Sequence, residues 1–167
     1  MLMKYPTASK IVSPEELKRL IATWRLKNEK IVFTNGCFDI LHLGHVDYLE
    51  KAHAFGNRLV LGLNTDASVK RQNKGTERPL QNEEARCRLM ASLQFVDAVC
   101  LFDEETPINL INLVKPDFLV KGDDYSIDTI VGAKEVLAWG GDVKTIPLVQ
   151  GHSTTNIVNK IKQSLHG

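Results

Sequence analysis

The chain has 167 residues, with 21 Lys and Arg against 20 Asp and Glu, and a formal charge of +1 at pH 7. At 43% apolar and 25% charged residues it has the makeup of one globular domain able to bury its own core. The balanced charge argues against nucleic acid as the main partner, and no apolar run approaches the roughly 20 residues that span a bilayer.

Residues 13–27 read as an opening helix. Ser13 suits the N-cap, Pro14 the first helical position, and Glu16 completes a capping box. Leu17, Leu20, Ile21 and Trp24 then recur at helical spacing. Residues 1–29 are therefore expected to form an N-terminal helical extension, ahead of a domain spanning 30–167. The first ten residues lack the apolar core of a signal peptide. Cys37, Cys87 and Cys100 are an odd number with no close pairing, which argues against a disulfide framework. A reducing cytoplasm is the expected compartment, with no membrane partner.

From residue 30 short apolar runs alternate with helical stretches. Runs at 30–34, 58–63, 98–102, 118–120 and 143–147 read as buried strands. Helical periodicity marks 43–54, 83–93, 107–114, 129–139 and 154–165. Such alternation predicts an α/β fold, a Rossmann-like doubly wound sheet of five parallel strands. In open sheets of this kind, ligands sit beyond the carboxyl ends of the strands, near the switch in strand order. The segments in that position are 35–45, 64–79, 103–106, 121–125 and 150–155, and they carry most of the reactive side chains.

The first of them runs Asn35-Gly36-Cys37-Phe38-Asp39-Ile40-Leu41-His42-Leu43-Gly44-His45. A strand enters a glycine-bearing turn, and a helix begins near Leu43. Free N–H groups at a helix start, at the positive end of its dipole, suit phosphate. His42 and His45, three apart, share one face of the first turn, and Gly44 leaves the backbone open to an anion. Two imidazoles beside exposed amides can donate to phosphoryl oxygens as charge builds in a displacement. A lone buried histidine is ordinarily a satisfied core residue, but two flanking a glycine at a strand-to-helix turn fit that reading poorly. Zinc on Cys37, His42 and His45 is the competing reading, without an evident fourth ligand or paired-cysteine spacing. Neither a P-loop nor a Gly-x-Gly-x-x-Gly fingerprint occurs.

Gly36-Cys37-Phe38-Asp39 followed by His42-x-Gly44-His45 resembles the signature of the cytidylyltransferase-like nucleotidyltransferases. The resemblance implies that the His-x-Gly-His pair contacts the nucleotide triphosphate. It extends from about residue 30 to the C-terminus. Gly62-Leu63-Asn64-Thr65-Asp66, Lys74-Gly75 with Arg78-Pro79, Glu84-x-Arg86, Phe95-Val96-Asp97, Lys121-Gly122-Asp123-Asp124-Tyr125 and Gly151-His152-Ser153-Thr154-Thr155 all resemble the nucleotidyltransferase of ADP-heptose synthesis. That resemblance implies transfer of AMP from ATP, with Mg²⁺, to a heptose 1-phosphate. The products are pyrophosphate and the ADP-heptose used in the outer-membrane polysaccharide of Gram-negative bacteria. It also implies a sugar kinase acting upstream, often fused to the transferase, and a homodimer is a further expectation.

Residue roles follow from the two readings together. His42, His45 and Lys74 are expected to be catalytic, Lys74 because it aligns with a phosphate-engaging lysine of related enzymes. Asn35, Gly36, Cys37, Phe38, Gly44, Lys121, Gly122, Asp124, Ser153, Thr154 and Thr155 are expected at the nucleotide, and Asp39, Asp66 and Arg78 at the acceptor. Asp66 is equally suited to hold Mg²⁺, to orient a lysine or to cap the next helix. Lys70, Arg71, Lys74 and Arg78 crowd one short stretch, where solvated surface charge is the plainer reading for most. Asp123 and Asp124 are candidates to end a strand and cap a helix, and Asp97 to tie loops to the sheet. One of Ser153, Thr154 and Thr155 suffices as a helix cap; together they offer a second phosphate cradle.

The cytidylyltransferase branch carries an arginine where this chain has Leu148, and Arg-Tyr-Val-Asp where it has Gln94-Phe95-Val96-Asp97. Both departures favour ATP over CTP. His152 stands where the heptose family often has arginine. Two other readings remain. One is a CTP-dependent transferase acting on glycerol 3-phosphate or a similar alcohol phosphate, and the other is a non-catalytic nucleotide-binding regulator.

Overall fold

A computed structural model of the chain describes residues 6–72 and 77–165. After a 3-10 turn at Pro6–Lys10 come α1 (Pro14–Leu26), β1 (Ile31–Gly36), α2 (Leu43–His53), β2 (Arg58–Asn64), α3 (Asp66–Arg71) and α4 (Glu83–Ser92). Then follow β3 (Ala98–Phe102), α5 (Ile108–Val114), β4 (Phe118–Gly122), a 3-10 turn at Ile127–Thr129, α6 (Ala133–Ala138), β5 (Asp142–Ile146) and α7 (Thr154–Ser164). All five strands are parallel, in the order β3-β2-β1-β4-β5. The chain steps outward from β1 to β3 and then returns to place β4 on the other side of β1. The switch point therefore lies between β1 and β4, and their carboxyl ends flank the site.

Strand side chains alternate between two cores, as the pleat requires. Ile31 and Phe33 of β1 pack with residues of α1, α5 and α6, while Val32 packs with α2 and α4. Leu17, Ile21 and Trp24 seat α1 in the first of these cores, so the N-terminal helix shares the sheet's interior. Its start is fixed by the expected capping box: Ser13 Oγ accepts from Glu16 N, and Glu16 Oε2 accepts from Ser13 N. Ahead of it, Val12 N donates to Val99 O at 3.0 Å and lines the outer edge of β3.

β1 and β4 each run two residues beyond their apolar runs, because the ladder continues through Gly36↔Leu63 and Gly122↔Ile146. Hydrophobic pattern does not mark residues that pair by backbone alone. α6 starts later than expected, at Ala133, because Gly132 at φ 87° breaks the helical path. The short α3 was not expected, and its cap is Thr65, whose Oγ1 accepts from Ser68 N at 3.1 Å; Asp66 is the first helical residue.

Candidate nucleotide-transfer site

A cavity of about 510 Å³ opens at the switch point. Asn35, Gly36, Cys37 and Phe38 from the end of β1 line it, with His42, Gly44 and His45 at the start of α2. Lys121, Gly122 and Asp124 enter from the end of β4, and Ser153, Thr154 and Thr155 from the start of α7. Every nucleotide-site residue expected from the sequence is thus at this one cavity, along with His42 and His45. Lys74 lies outside the described residues.

Local chemistry explains the shape of the first wall. Phe38 adopts φ 47°, the left-handed region that a bulky residue enters only under constraint. Its ring folds back over Gly36, where a Cβ would sit 2.8 Å from Phe38 Cε2, and meets the His45 ring edge-on at 5.0 Å. His42 occupies the N-cap of α2 but makes no side-chain cap bond. A Ser or Asp there would have turned inward onto the helix amides; the imidazole instead stacks on His45, centroids 3.7 Å apart. Gly44 lets this helix start approach the opposite wall, since a Cβ would meet His152 O at 2.9 Å and His42 Nδ1 at 3.0 Å.

Both histidines are held neutral. Burial pulls His45 down from 6.5 to about 4, the His42 charge adds to this, and a backbone hydrogen bond at Ile40 opposes it. Burial also lowers His42, helped by the charge of His152. The Nδ1 atoms of both rings are buried without a hydrogen-bond partner among the described residues.

On the second wall Lys121 Nζ donates to Asn35 Oδ1, tying the ends of β4 and β1 together. At Gly122 a Cβ would lie 2.5 Å from Asp124 Oδ1, so glycine lets that carboxylate fold back beside the backbone. Asp123 Oδ1 accepts from Leu148 N at 3.3 Å, bracing the segment after β5 and capping no helix. Ser153 is the cap of α7, accepting from Asn156 N at 3.1 Å. Thr154 and Thr155 line the cavity beside it, at the first turn of the helix.

The three residues expected at the acceptor, Asp39, Asp66 and Arg78, do not line this cavity, and each has a partner within the chain. Asp39 is only 2% exposed. Its oxygens accept from Leu80 N at 2.8 Å, Gln81 N at 2.9 Å and Arg78 Nη1 at 3.3 Å. Asp39 and Arg78 thus form an internal strut, since a carboxylate this buried is spent on its own chain. Asp66 is likewise engaged, taking Arg86 Nη2 at 2.7 Å, and does not line the cavity. Arg71 pairs with Asp103 at 3.2 Å. Asp97 accepts from Leu59 N and Arg58, the tie between loop and sheet that was expected of it.

Sequence reasoning missed Tyr48, Tyr125, Val149 and the lining role of Leu148 and His152. Tyr48 was findable, being three residues beyond His45 on the same helical face. Its hydroxyl pairs with Thr34 Oγ1 at 2.7 Å, and burial raises its pKa. It also missed the weight of Arg86, a fully buried guanidinium reaching Cys37 O, Gln81 O and Asp66.

Moving a nucleotidyl group requires backbone amides that hold a triphosphate and donors beside the leaving phosphates. This cavity combines two helix starts with two neutral imidazoles, and the protein it defines is a nucleotidyltransferase. The chain belongs to the cytidylyltransferase-like family, whose model matches residues 33–160. It is 53% identical over 154 residues to the bifunctional protein HldE of Methylobacillus flagellatus, covering 92% of this chain and 31% of that protein. To the bifunctional protein HldE of Magnetococcus marinus it is 54% identical over 157 residues, 94% of this chain and 32% of that one. The chain thus spans about a third of the length of these curated relatives. Among solved structures, the lipopolysaccharide core biosynthesis protein of Thermoplasma volcanium matches with a TM-score of 0.58 at 31% identity, over 72% of this chain and 97% of that one. Pantoate-beta-alanine ligase of Francisella tularensis matches at 16% identity with a TM-score of 0.64, over 94% of this chain and 79% of that one, a likeness of fold. Among the described residues no helix is long and apolar enough to cross a membrane, and no disulfide joins any of the three cysteines.

Proposed function

We propose that the protein transfers AMP from ATP to a heptose 1-phosphate, forming ADP-heptose and pyrophosphate. The observation that carries this reading is the stacked pair of His42 and His45 at one helix start, lining the same cavity as the Thr154-Thr155 helix start. An acceptor phosphate oxygen attacks the α-phosphorus, the α–β bridging P–O bond breaks, and its electron pair leaves on pyrophosphate. The acceptor is already anionic at neutral pH, so no general base is needed. Catalysis consists of aligning two anions and stabilising charge at the phosphates. In this scheme His42 and His45 donate to the transferring and leaving groups, and Thr154 and Thr155 hold the triphosphate tail. Lys74 screens the approach of the acceptor.

Mg²⁺ would enter with ATP and be held largely by phosphate oxygens. Asp124 is the one carboxylate among the described cavity-lining residues, and the described residues contain no group of three His, Cys, Asp or Glu suited to a metal. That fits an ion commonly bound by one or two carboxylates plus substrate phosphates. Its chemistry is to neutralise phosphate charge. The acceptor is the product of a sugar kinase, which agrees with the word bifunctional in the relatives' names.

The test is pyrophosphate release with ATP or CTP against heptose 1-phosphate, other sugar 1-phosphates and glycerol 3-phosphate. ATP with heptose 1-phosphate is expected to give the highest kcat/KM. Leu148, 48% exposed at the cavity, offers an apolar surface where a cytidine-reading arginine would offer charge. Preference for CTP with an alcohol phosphate overturns the reading. Tight ATP binding without turnover on any acceptor makes the protein a regulator.

A further inference from the structure

Arg86 has no exposed surface and does not line the cavity, yet each of its nitrogens is used. Nε donates to Gln81 O at 3.0 Å, Nη1 to Cys37 O at 2.7 Å, and Nη2 to Asp66 Oδ1 at 2.7 Å. A buried charge is a costly way to fill a core, and this one is tolerated because it is paired with Asp66 and each of its three nitrogens donates to an acceptor. What it does beyond packing follows from the Cys37 bond.

The Cys37 carbonyl and the Phe38 N–H belong to one peptide. A trans peptide is planar and its C=O and N–H point in opposite directions. Drawing the carbonyl onto the buried guanidinium, which does not line the cavity, turns the Phe38 N–H away from that guanidinium, in a segment where both Cys37 and Phe38 do line it. Phe38 also has φ 47°, the left-handed region that supplies one residue of the αR–αL pairs whose N–H groups cradle anions. The ring of Phe38, packed on His45, fixes the other end of the same residue.

We infer that Arg86 is a positioning residue for nucleotidyl transfer: it holds the Cys37–Phe38 peptide so that the Phe38 N–H donates to the phosphate chain of the bound nucleotide, beside His42 and His45. Asp66 sets the guanidinium in that pose, which gives this carboxylate a role in the site without contact to substrate. The inference rests on the nucleotidyltransferase reading, and is independent of which nucleotide or acceptor is used.

The test compares the unsubstituted protein with Arg86→Lys, which keeps a positive charge for Asp66 but lacks the fork that spans three acceptors. The probes are whichever of ATP and CTP the unsubstituted protein binds more tightly, and the matching nucleoside, by calorimetry. Triphosphate affinity is expected to fall at least about tenfold while nucleoside affinity stays within about twofold, since only the phosphates feel a turned amide. In ¹⁵N-labelled unsubstituted protein, the Phe38 amide resonance should move with the triphosphate and stay with the nucleoside. Equal losses for both ligands, or a Phe38 amide indifferent to the triphosphate, overturn the inference. If Arg86→Lys does not fold, Asp66→Asn takes its place and the Phe38 amide of the unsubstituted protein decides. A protein that shows the amide shift but no transfer to heptose 1-phosphate refutes the proposed reaction and leaves this inference standing.

Discussion

The imidazole rings of His42 and His45 lie stacked, with centroids 3.7 Å apart and planes 23° from parallel, and each carries a buried Nδ1 with no partner among the described residues. An unpaired buried polar atom costs about 1–3 kcal/mol. Packing alone gives no return on that cost, whereas the two rings together line the cavity at the start of α2. His42→Ala and His45→Ala are therefore expected to keep the fold and to lose about 100-fold or more in turnover. Pyrophosphate release and thermal melts on both variants check this. Near-normal rates in both remove the phosphate assignment, and loss of folding makes the rings core residues.

Stability should depend on pH through the same pair. His45 binds a proton near 6.5 when unfolded and only near 4 when folded. Between those values the unfolded state holds more protons, so its stability contribution is intact above about 6.5 and is lost as pH falls to about 4. The loss is at most about 3 kcal/mol. Melting temperatures from pH 7 to 4 are expected to fall less steeply in His45→Gln than in the unsubstituted protein. Identical slopes would remove His45 as the group responsible.

Gly44→Ala separates local helix preference from site geometry. In an ordinary helix the change stabilises by about 0.4–1 kcal/mol. Here the new methyl meets His152 O at 2.9 Å and His42 Nδ1 at 3.0 Å, so one wall of the cavity must shift. Turnover should drop about tenfold or more while the melting temperature changes by only a few degrees. A variant that is both more stable and fully active would show that the two walls need not approach so closely.

Lys74 lies in the segment between Gln72 and Glu77, outside the described residues. If its charge screens the meeting of two anions, it matters most in the transition state. Lys74→Gln should lower kcat sharply while ATP affinity falls much less. Calorimetry beside steady-state rates decides, and equal losses in both take Lys74 off the catalytic side.

The succession of elements was legible in the chain because each strand is a short apolar run and each long helix repeats its apolar residues at helical spacing. His42, Gly44 and His45, and the Ser153-Thr154-Thr155 group, were legible too, since helix starts announce themselves locally. Asp39, Asp66, Arg78 and Arg86 were not. The ion-pair partners of these side chains and the Cys37 carbonyl lie 20 to 49 positions away in the sequence, and nothing local separates a carboxylate that meets a substrate from one that meets its own arginine. Periodicity and capping are short-range effects and can be read along the chain. Burial and charge pairing are fixed only when β1 and β4 come side by side and the 78–86 segment folds behind the first turn. That step gave Asp39, Asp66 and Arg78 partners within the chain, and placed Arg86 beneath the Cys37 carbonyl.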